Sequence, residues 1–225
     1  MLPVKLTHRI LPQGMFGAVR KHDIHTGLDL YCDRGTPVKC ISDGTVIDVF
    51  QFTGKAVGSS WWNTTYAVVV ESDGFAYVYG ELVPCVGIGQ KVINSDILGY
   101  VIPVLKTDKG VTPTTMLHLE VWKSASYIKN HTWKLGDDMA TGLLDPLDKL
   151  PHWLIKTEHG WILEDCGGRI IQFFDMACNS KAWCMEKNIV PIYLTPKTDP
   201  AKILTYTTCT GKVPWFIGIH DGTQI

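Results

Sequence analysis

Two side chains able to bind a metal stand four residues apart in the run HTGLD, His25 to Asp29, and Gly27 between them lets the backbone turn both toward one point. An imidazole nitrogen and a carboxylate oxygen are both zinc donors. The same pair serves equally as a hydrogen-bonded pair at the surface, so this spacing alone leaves two readings open. Another histidine, His118, lies in the run LHLEVW, and Glu120 two residues later shares its face if that run is a strand. There a carboxylate either orients an imidazole through its outer N–H or forms an ordinary salt bridge.

The elements that must position these residues are short β-like runs punctuated by turn signals. GLDLYC, TPVKCIS, TVIDVFQF, YAVVVES and FAYVYGEL, with Asp43-Gly44 and Asp73-Gly74 between them, predict an antiparallel β domain rather than a β-α-β one. TTYAVVVESDGFAYVYGEL reads as two strands around a tight turn. The stretch from Phe52 to Thr64 has no clean periodicity and is expected to be a rim loop. Its Trp62, beside Trp61, either walls a groove against a peptide or glycan or anchors the loop. Tyr66, Tyr77 and Tyr79 fall on strands, where each could donate a hydrogen bond to an oxyanion or simply pack. Pro146 in DPLDKL stops any preceding element, and the boundary is placed near Pro151. The expected organisation is an arm over 1–15, a β domain over 16–150 and a small α+β region over 151–225. The last region carries the strand-like runs WILED, RIIQFF, IVPIYL, KILTYTT and WFIGI, and a short helix near Asn179 to Lys187.

Composition excludes several classes. With 21 Lys+Arg against 22 Asp+Glu in 225 residues, nothing favours the counterion-release binding of a basic nucleic-acid protein. The apolar runs break too early for a membrane helix, so no membrane insertion is expected. The opening MLPVKLTHRILPQGMFG lacks a continuous apolar core and a small-residue cleavage site, so the expectation is a cytoplasmic protein at synthesis, released to the cell wall by other means or carried on a virion. Seven cysteines without a CxxC pair are expected to be reduced and mostly buried. His22 reads as a solvated loop histidine, and His131, His152, His159 and His220 are scattered without a motif.

Read together, four blocks resemble the lysostaphin/LytM family of zinc endopeptidases: FGAVRKHDIHTGLDLYCDRGTPVKCISDGTV, VYGELVPCVGIGQKVINSDILGYV, MLHLEVW and DPLDKL. They stand in the family's order over residues 16 to 150. The resemblance implies a mainly β LytM-like domain, an antiparallel sheet or sandwich. It also implies that His25, Asp29 and His118 hold zinc, leaving an open position where the metal lowers the pKa of water to ~7. Peptidoglycan stem or cross-bridge peptides are the implied substrate.

Two positions depart from the pattern. Where the family usually carries its two further histidines, this chain has Glu81 and Met116. A thioether has no proton to give. Glu81 has three readings: a general base, as a carboxylate is in the HExxH peptidases; a half-exposed strand-end residue; or a fourth zinc ligand that closes the site. The functional expectation is therefore a zinc-dependent peptidoglycan endopeptidase. The alternative is a degenerate zinc-bound cell-wall-binding or scaffold module, with a bacteriophage particle component compatible with either.

Overall fold

The structure is a computed structural model; it describes residues 2–7, 10–60, 62–105, 115–157, 160–165, 170–174, 183, 185–186 and 191–194. The chain divides into two units: residues 1–7 with 11–146, and residues 8–10 with 147–225. In the first unit the strands are β1 (Asp23–Ile24), β2 (Leu28–Tyr31), β3 (Pro37–Lys39), β4 (Gly44–Thr53), β5 (Thr65–Ser72), β6 (Phe75–Pro84), β7 (Lys91–Val92), β8 (Ile97–Val101), β9 (Met116–Lys123), β10 (Trp133–Lys134) and β11 (Leu143–Leu144).

All but β1 and β10 join one antiparallel sheet in the order β11-β9-β6-β5-β4-β7, with β2 on β9 and with β8 joining β6 to β3. Mainly antiparallel β architecture is thus what the sequence pattern leads to. β5 is central, and Ala67, Val68, Val69 and Val70 are all buried. A strand covered on both faces reads as a continuous apolar run rather than as an alternation. Each such Val or Leu side chain contributes about 1.5–3 kcal/mol through burial. Trp122 on β9 packs into the same core with Val69, Val78 and Leu143.

The hairpin between β5 and β6 turns at Asp73 and Gly74, whose φ values are 47° and 79°. Positive φ at both central positions matches the twist of the flanking strands, which explains the DG pair. Asp43-Gly44 is different. β3 pairs with β8 rather than with β4, so no hairpin forms there. A Cβ on Gly44 would lie 2.3 Å from the Glu71 carbonyl oxygen, so that glycine provides clearance between β4 and β5.

The expected N-terminal arm packs into the first unit: Thr7 N–H donates to Tyr31 O at 3.0 Å and Lys39 N–H donates to Pro3 O at 2.7 Å. Cys32 and Cys40 are free and buried, whereas Cys85 is free and exposed at the end of β6; Cys166, Cys178, Cys184 and Cys209 lie outside the described residues.

The second unit contains β12 (His152–Thr157), β13 (Gly160–Asp165), β14 (Ile170–Phe174) and β15 (Pro191–Leu194), in the order β14-β13-β12-β15 with β12 and β15 parallel. β13, β14 and β15 coincide with WILED, RIIQFF and IVPIYL, whereas β12, HWLIKT, is a strand that the sequence pattern did not mark. KILTYTT and WFIGI lie outside the described residues, as does the expected helix near Asn179 to Lys187 except for Trp183, Met185 and Glu186.

Candidate metal centre

β2 and β9 place the donor residues by register. Asp29 lies directly opposite His118, and His118 faces Gly80 of β6 on its other side. His25 precedes β2 by a short loop. A Cβ on Gly27 would lie 2.7 Å from His118 Nε2 and 2.5 Å from the Leu119 carbonyl oxygen. Gly27 therefore leaves room for the Leu119 carbonyl of β9 and for the His118 ring, a clearance role that the sequence reading did not include.

Three donor atoms converge. His25 Nε2 lies 3.1 Å from His118 Nδ1, and Asp29 Oδ1 lies 3.1 Å from each of those nitrogens. All three residues are buried. Zinc bonds of ~2.0–2.2 Å at tetrahedral angles set donors a little over ~3 Å apart, so the triangle has the size of one face of such a site.

The outer atoms of the triad are tied. His25 Nδ1 lies 3.0 Å from Met15 O, and a carbonyl only accepts, so Nδ1 carries the proton and Nε2 turns a lone pair inward. His118 Nε2 lies 3.1 Å from Glu120 Oε1, which leaves Nδ1 inward. Glu120 is held in turn by Thr26 Oγ1, donating to Oε1 at 2.6 Å, and by Trp122 Nε1, donating to Oε2 at 2.8 Å. Arg20 Nη2 donates to Asp29 Oδ2 at 2.6 Å. Two inward lone pairs and a carboxylate within 3.1 Å of one another repel unless a cation or a proton sits among them. The residues present fit a divalent metal with oxygen and nitrogen ligands.

The titration pattern of the metal-free protein agrees with this. Burial opposes charge on His118, but hydrogen bonds to Asp29 and Glu120 prevail and push its pKa up to about 10. Burial also opposes charge on Asp29, yet its bonds to His118 and His25 hold the carboxyl well below the usual range. Burial lowers the pKa of His25. A proton on His118 thus takes the place a cation would occupy.

Glu81 reaches the site through a defect in the sheet. Phe75–Gly80 of β6 pair with β9, whereas Leu82–Pro84 pair with β8. The β5–β6 register shifts between Tyr66 and Val68, opposite this change. Glu81 stands at the switch with φ 68°, a left-handed conformation that a non-glycine residue adopts at a cost of about 1–2 kcal/mol. Bulges of this kind re-aim side chains beside functional sites. Glu81 is buried, lines the cleft, and its Oε2 has no hydrogen-bond partner. Burial first, and then the charge of Asp29, push its pKa up to about 8.

Among the described residues, the one group of His, Cys, Asp and Glu whose donor atoms lie within 4.8 Å of one another is His25, Asp29 and His118. Glu81 stands outside that group. This geometry favours an open site over one closed by a fourth protein ligand.

A cleft of about 270 Å³ opens over the centre and is lined by Arg20, Glu81, Phe52, Trp62, His131 and Trp133, among others. Trp62 is 37% exposed there, on the rim stretch. Tyr79 is fully buried and does not line the cleft; its hydroxyl accepts from the Ile41 N–H at 3.2 Å. Met116 begins β9 opposite Tyr31 and is half-buried. His22 is exposed.

Sequence reasoning overlooked Arg20, Thr26 and the Met15 carbonyl, and it set His131 aside as a histidine without a motif. Arg20 had a signal, since it lies within the FGAVR block that carries part of the resemblance. The Met15 carbonyl had none.

Residues 23–130 match the family model described as Peptidase family M23. A comparison with curated proteins finds no match. Among solved structures, the catalytic domain of the antimicrobial peptidase lysostaphin from Staphylococcus simulans is similar at 20% identity and a TM-score of 0.40, over 64% of this chain and 87% of that one. LytU is similar at 20% identity and a TM-score of 0.42, over 65% and 83%. Csd3 of Helicobacter pylori is similar at 22% identity and a TM-score of 0.38, over 60% of this chain and 36% of that one.

Proposed function

We propose, from the premise that residues 23–130 form a domain of peptidase family M23 of the lysostaphin/LytM type, that this protein is a zinc-dependent peptidoglycan endopeptidase. One observation carries the reading: three donor atoms converge at 3.1 Å while the outer N–H of each imidazole is committed to a fixed acceptor. His25, Asp29 and His118 would hold the metal. When bound, zinc supplies Lewis acidity, polarising a peptide carbonyl and lowering the pKa of water to ~7.

The remaining chemistry falls to the chain's own groups. Glu81 accepts a proton from the attacking water as the water oxygen bonds to the carbonyl carbon. It then delivers that proton to the leaving amine as the C–N bond breaks. Its unpartnered Oε2 is free for this, and a bound cation nearby lowers its pKa toward the ionised form it needs. Asp29 is kept charged by its histidine partners, and Glu120 fixes the orientation of His118. Phe52 and Trp62 wall the cleft and limit water around the peptide.

Met116 favours a second reading. Its thioether supplies no hydrogen bond where the family's further histidine stands, which suits a domain that keeps the metal and binds the wall without turnover. Digestion of purified muropeptides separates the two. The first reading expects zinc-dependent release of cleaved peptides, abolished by chelation and restored by zinc. Binding to sacculi without cleavage across a broad panel of cross-bridges would establish the second.

A further inference from the structure

Among the described residues, five buried side-chain atoms lack a hydrogen-bond partner, and two of them belong to residues lining the cleft: Glu81 Oε2 and His131 Nε2. A buried polar atom left unpaired loses its hydrogen bond to water and gains none in return. Glu81 has a use in the reaction proposed above. His131 has none so far.

The position of His131 is fixed from several sides. Lys129 Nζ lies 2.8 Å from Asp48 Oδ2 and 4.9 Å from the centre of the Phe50 ring, which anchors the loop on β4. Asn130, with φ 50°, turns the chain immediately before the histidine. The His131 ring meets Trp122 at 90° with centroids 5.4 Å apart. Trp122 is the residue whose Nε1 supports Glu120, and through it His118. The indole therefore backs both the metal ligand and His131.

We infer that His131 is a second catalytic residue of this site, donating a hydrogen bond from Nδ1 to the carbonyl oxygen of the peptide being cut; this rests on the hydrolase reading above. His131 lines the cleft and is only half-buried, so with Nε2 enclosed the nitrogen left to the cleft is Nδ1. An enclosed N–H without an acceptor is rarer than an enclosed lone pair, which puts the proton on Nδ1. Such a donor supports the charge that builds on the carbonyl oxygen. It supplies what the thioether of Met116 cannot.

The test uses the full-length, zinc-loaded protein, purified muropeptides as substrate and a phosphinate peptide as a mimic of the tetrahedral oxyanion. His131→Phe keeps a ring against Trp122 and removes both nitrogens, whereas His131→Asn places an amide near the position of Nδ1. For His131→Phe, kcat is expected to fall about 100-fold, with KM little changed, zinc content unchanged and phosphinate affinity reduced in proportion. His131→Asn is expected to recover about tenfold of that loss. Nitrogen NMR of the ring should place the proton on Nδ1 in the free protein.

Wild-type kcat and phosphinate affinity in zinc-loaded His131→Phe would overturn the assignment, as would a neutral ring protonated at Nε2. A wild-type protein that neither cuts muropeptides nor binds the phosphinate overturns the hydrolase reading and this one with it. A wild type that does both while His131→Phe matches it overturns the role of His131 alone.

Discussion

The metal-ligand cluster and the other reactive groups at the cleft differ in how completely their polar atoms are used. In the cluster, His25, Asp29, His118 and Glu120 form a closed network in which each outward atom has a partner: Met15 O, Arg20, Thr26 or Trp122. By contrast, Glu81 and His131, which also line the cleft, each keep a buried side-chain atom with no partner. A satisfied network holds its geometry before anything binds, whereas unsatisfied groups wait for a partner that folding does not supply. On the hydrolase reading, the contrast separates binding of the metal from work on the substrate, and mutations should fall into two classes accordingly.

The largest effect is expected in the ligand cluster. His118→Ala removes one donor, leaving Asp29 with only Arg20 and His25 and Glu120 with only Thr26 and Trp122. Zinc content should fall from about one per chain to near zero, as read by metal analysis after dialysis. Full zinc retention would dissolve the ligand side of the comparison. Next come the other groups: Glu81→Gln should leave zinc content intact and lower kcat about 100-fold or more, the usual worth of a positioned base. Unchanged turnover in that variant would remove Glu81 as the base.

A smaller effect tests the support beneath the ligands. Glu120→Gln should weaken zinc affinity about 10–100-fold by competition with a chelator, with the fold retained. A loss no larger than that of an exposed surface variant would show that Glu120 is dispensable for the orientation of His118.

The subtlest test is the pH dependence of the metal-free protein. The pKa of His118 is pushed up to about 10 from 6.5, so its contribution to stability is complete below pH 6.5 and disappears as pH rises through 10. Glu81 acts in the same direction: its pKa is raised from 4.5 to about 8, so folding favours the protonated form and stability declines between those values. The melting temperature of the metal-free protein should therefore fall from pH 7 to pH 10. Zinc binding should displace the proton from His118, so the loaded protein should show a flatter profile in that range and release at least one proton per zinc bound near pH 8, His118 supplying the first and Glu81 and bound water adding to it. Equal slopes with and without zinc would mean that metal and proton do not compete at His118.

Much of the sheet was legible from local chemistry. Asp73-Gly74 marked its hairpin because both residues adopt positive φ there. The run YAVVVES marked a strand, while its central place, with Ala67 to Val70 all buried, emerges only from the sheet order. His25, Asp29 and His118 were identified by resemblance, and the register of β2 on β9 brings them together. What stayed hidden depends on contacts between distant segments. Asp43-Gly44 resembles a hairpin turn in sequence, but its glycine answers to the Glu71 carbonyl. Tyr79 lies on a strand near the site, yet its hydroxyl is taken by the Ile41 amide. His131 has no motif around it, because its place in the cleft comes from the anchoring of Lys129 on β4 and the wall of Trp122.

The change of partner along β6 has one further consequence. Backbone pairing on either side, Gly80 with β9 and Leu82 with β8, sets the left-handed turn at position 81 whatever side chain it carries. The position should therefore act as a socket, its backbone turn persisting when the side chain is changed. Folding by itself would choose glycine, which tolerates φ 68° and buries no carboxylate. Glu81→Gly should accordingly raise the stability of the metal-free protein by about 1 kcal/mol while ending turnover. On the hydrolase reading, the glutamate at position 81 supplies chemistry at the expense of stability.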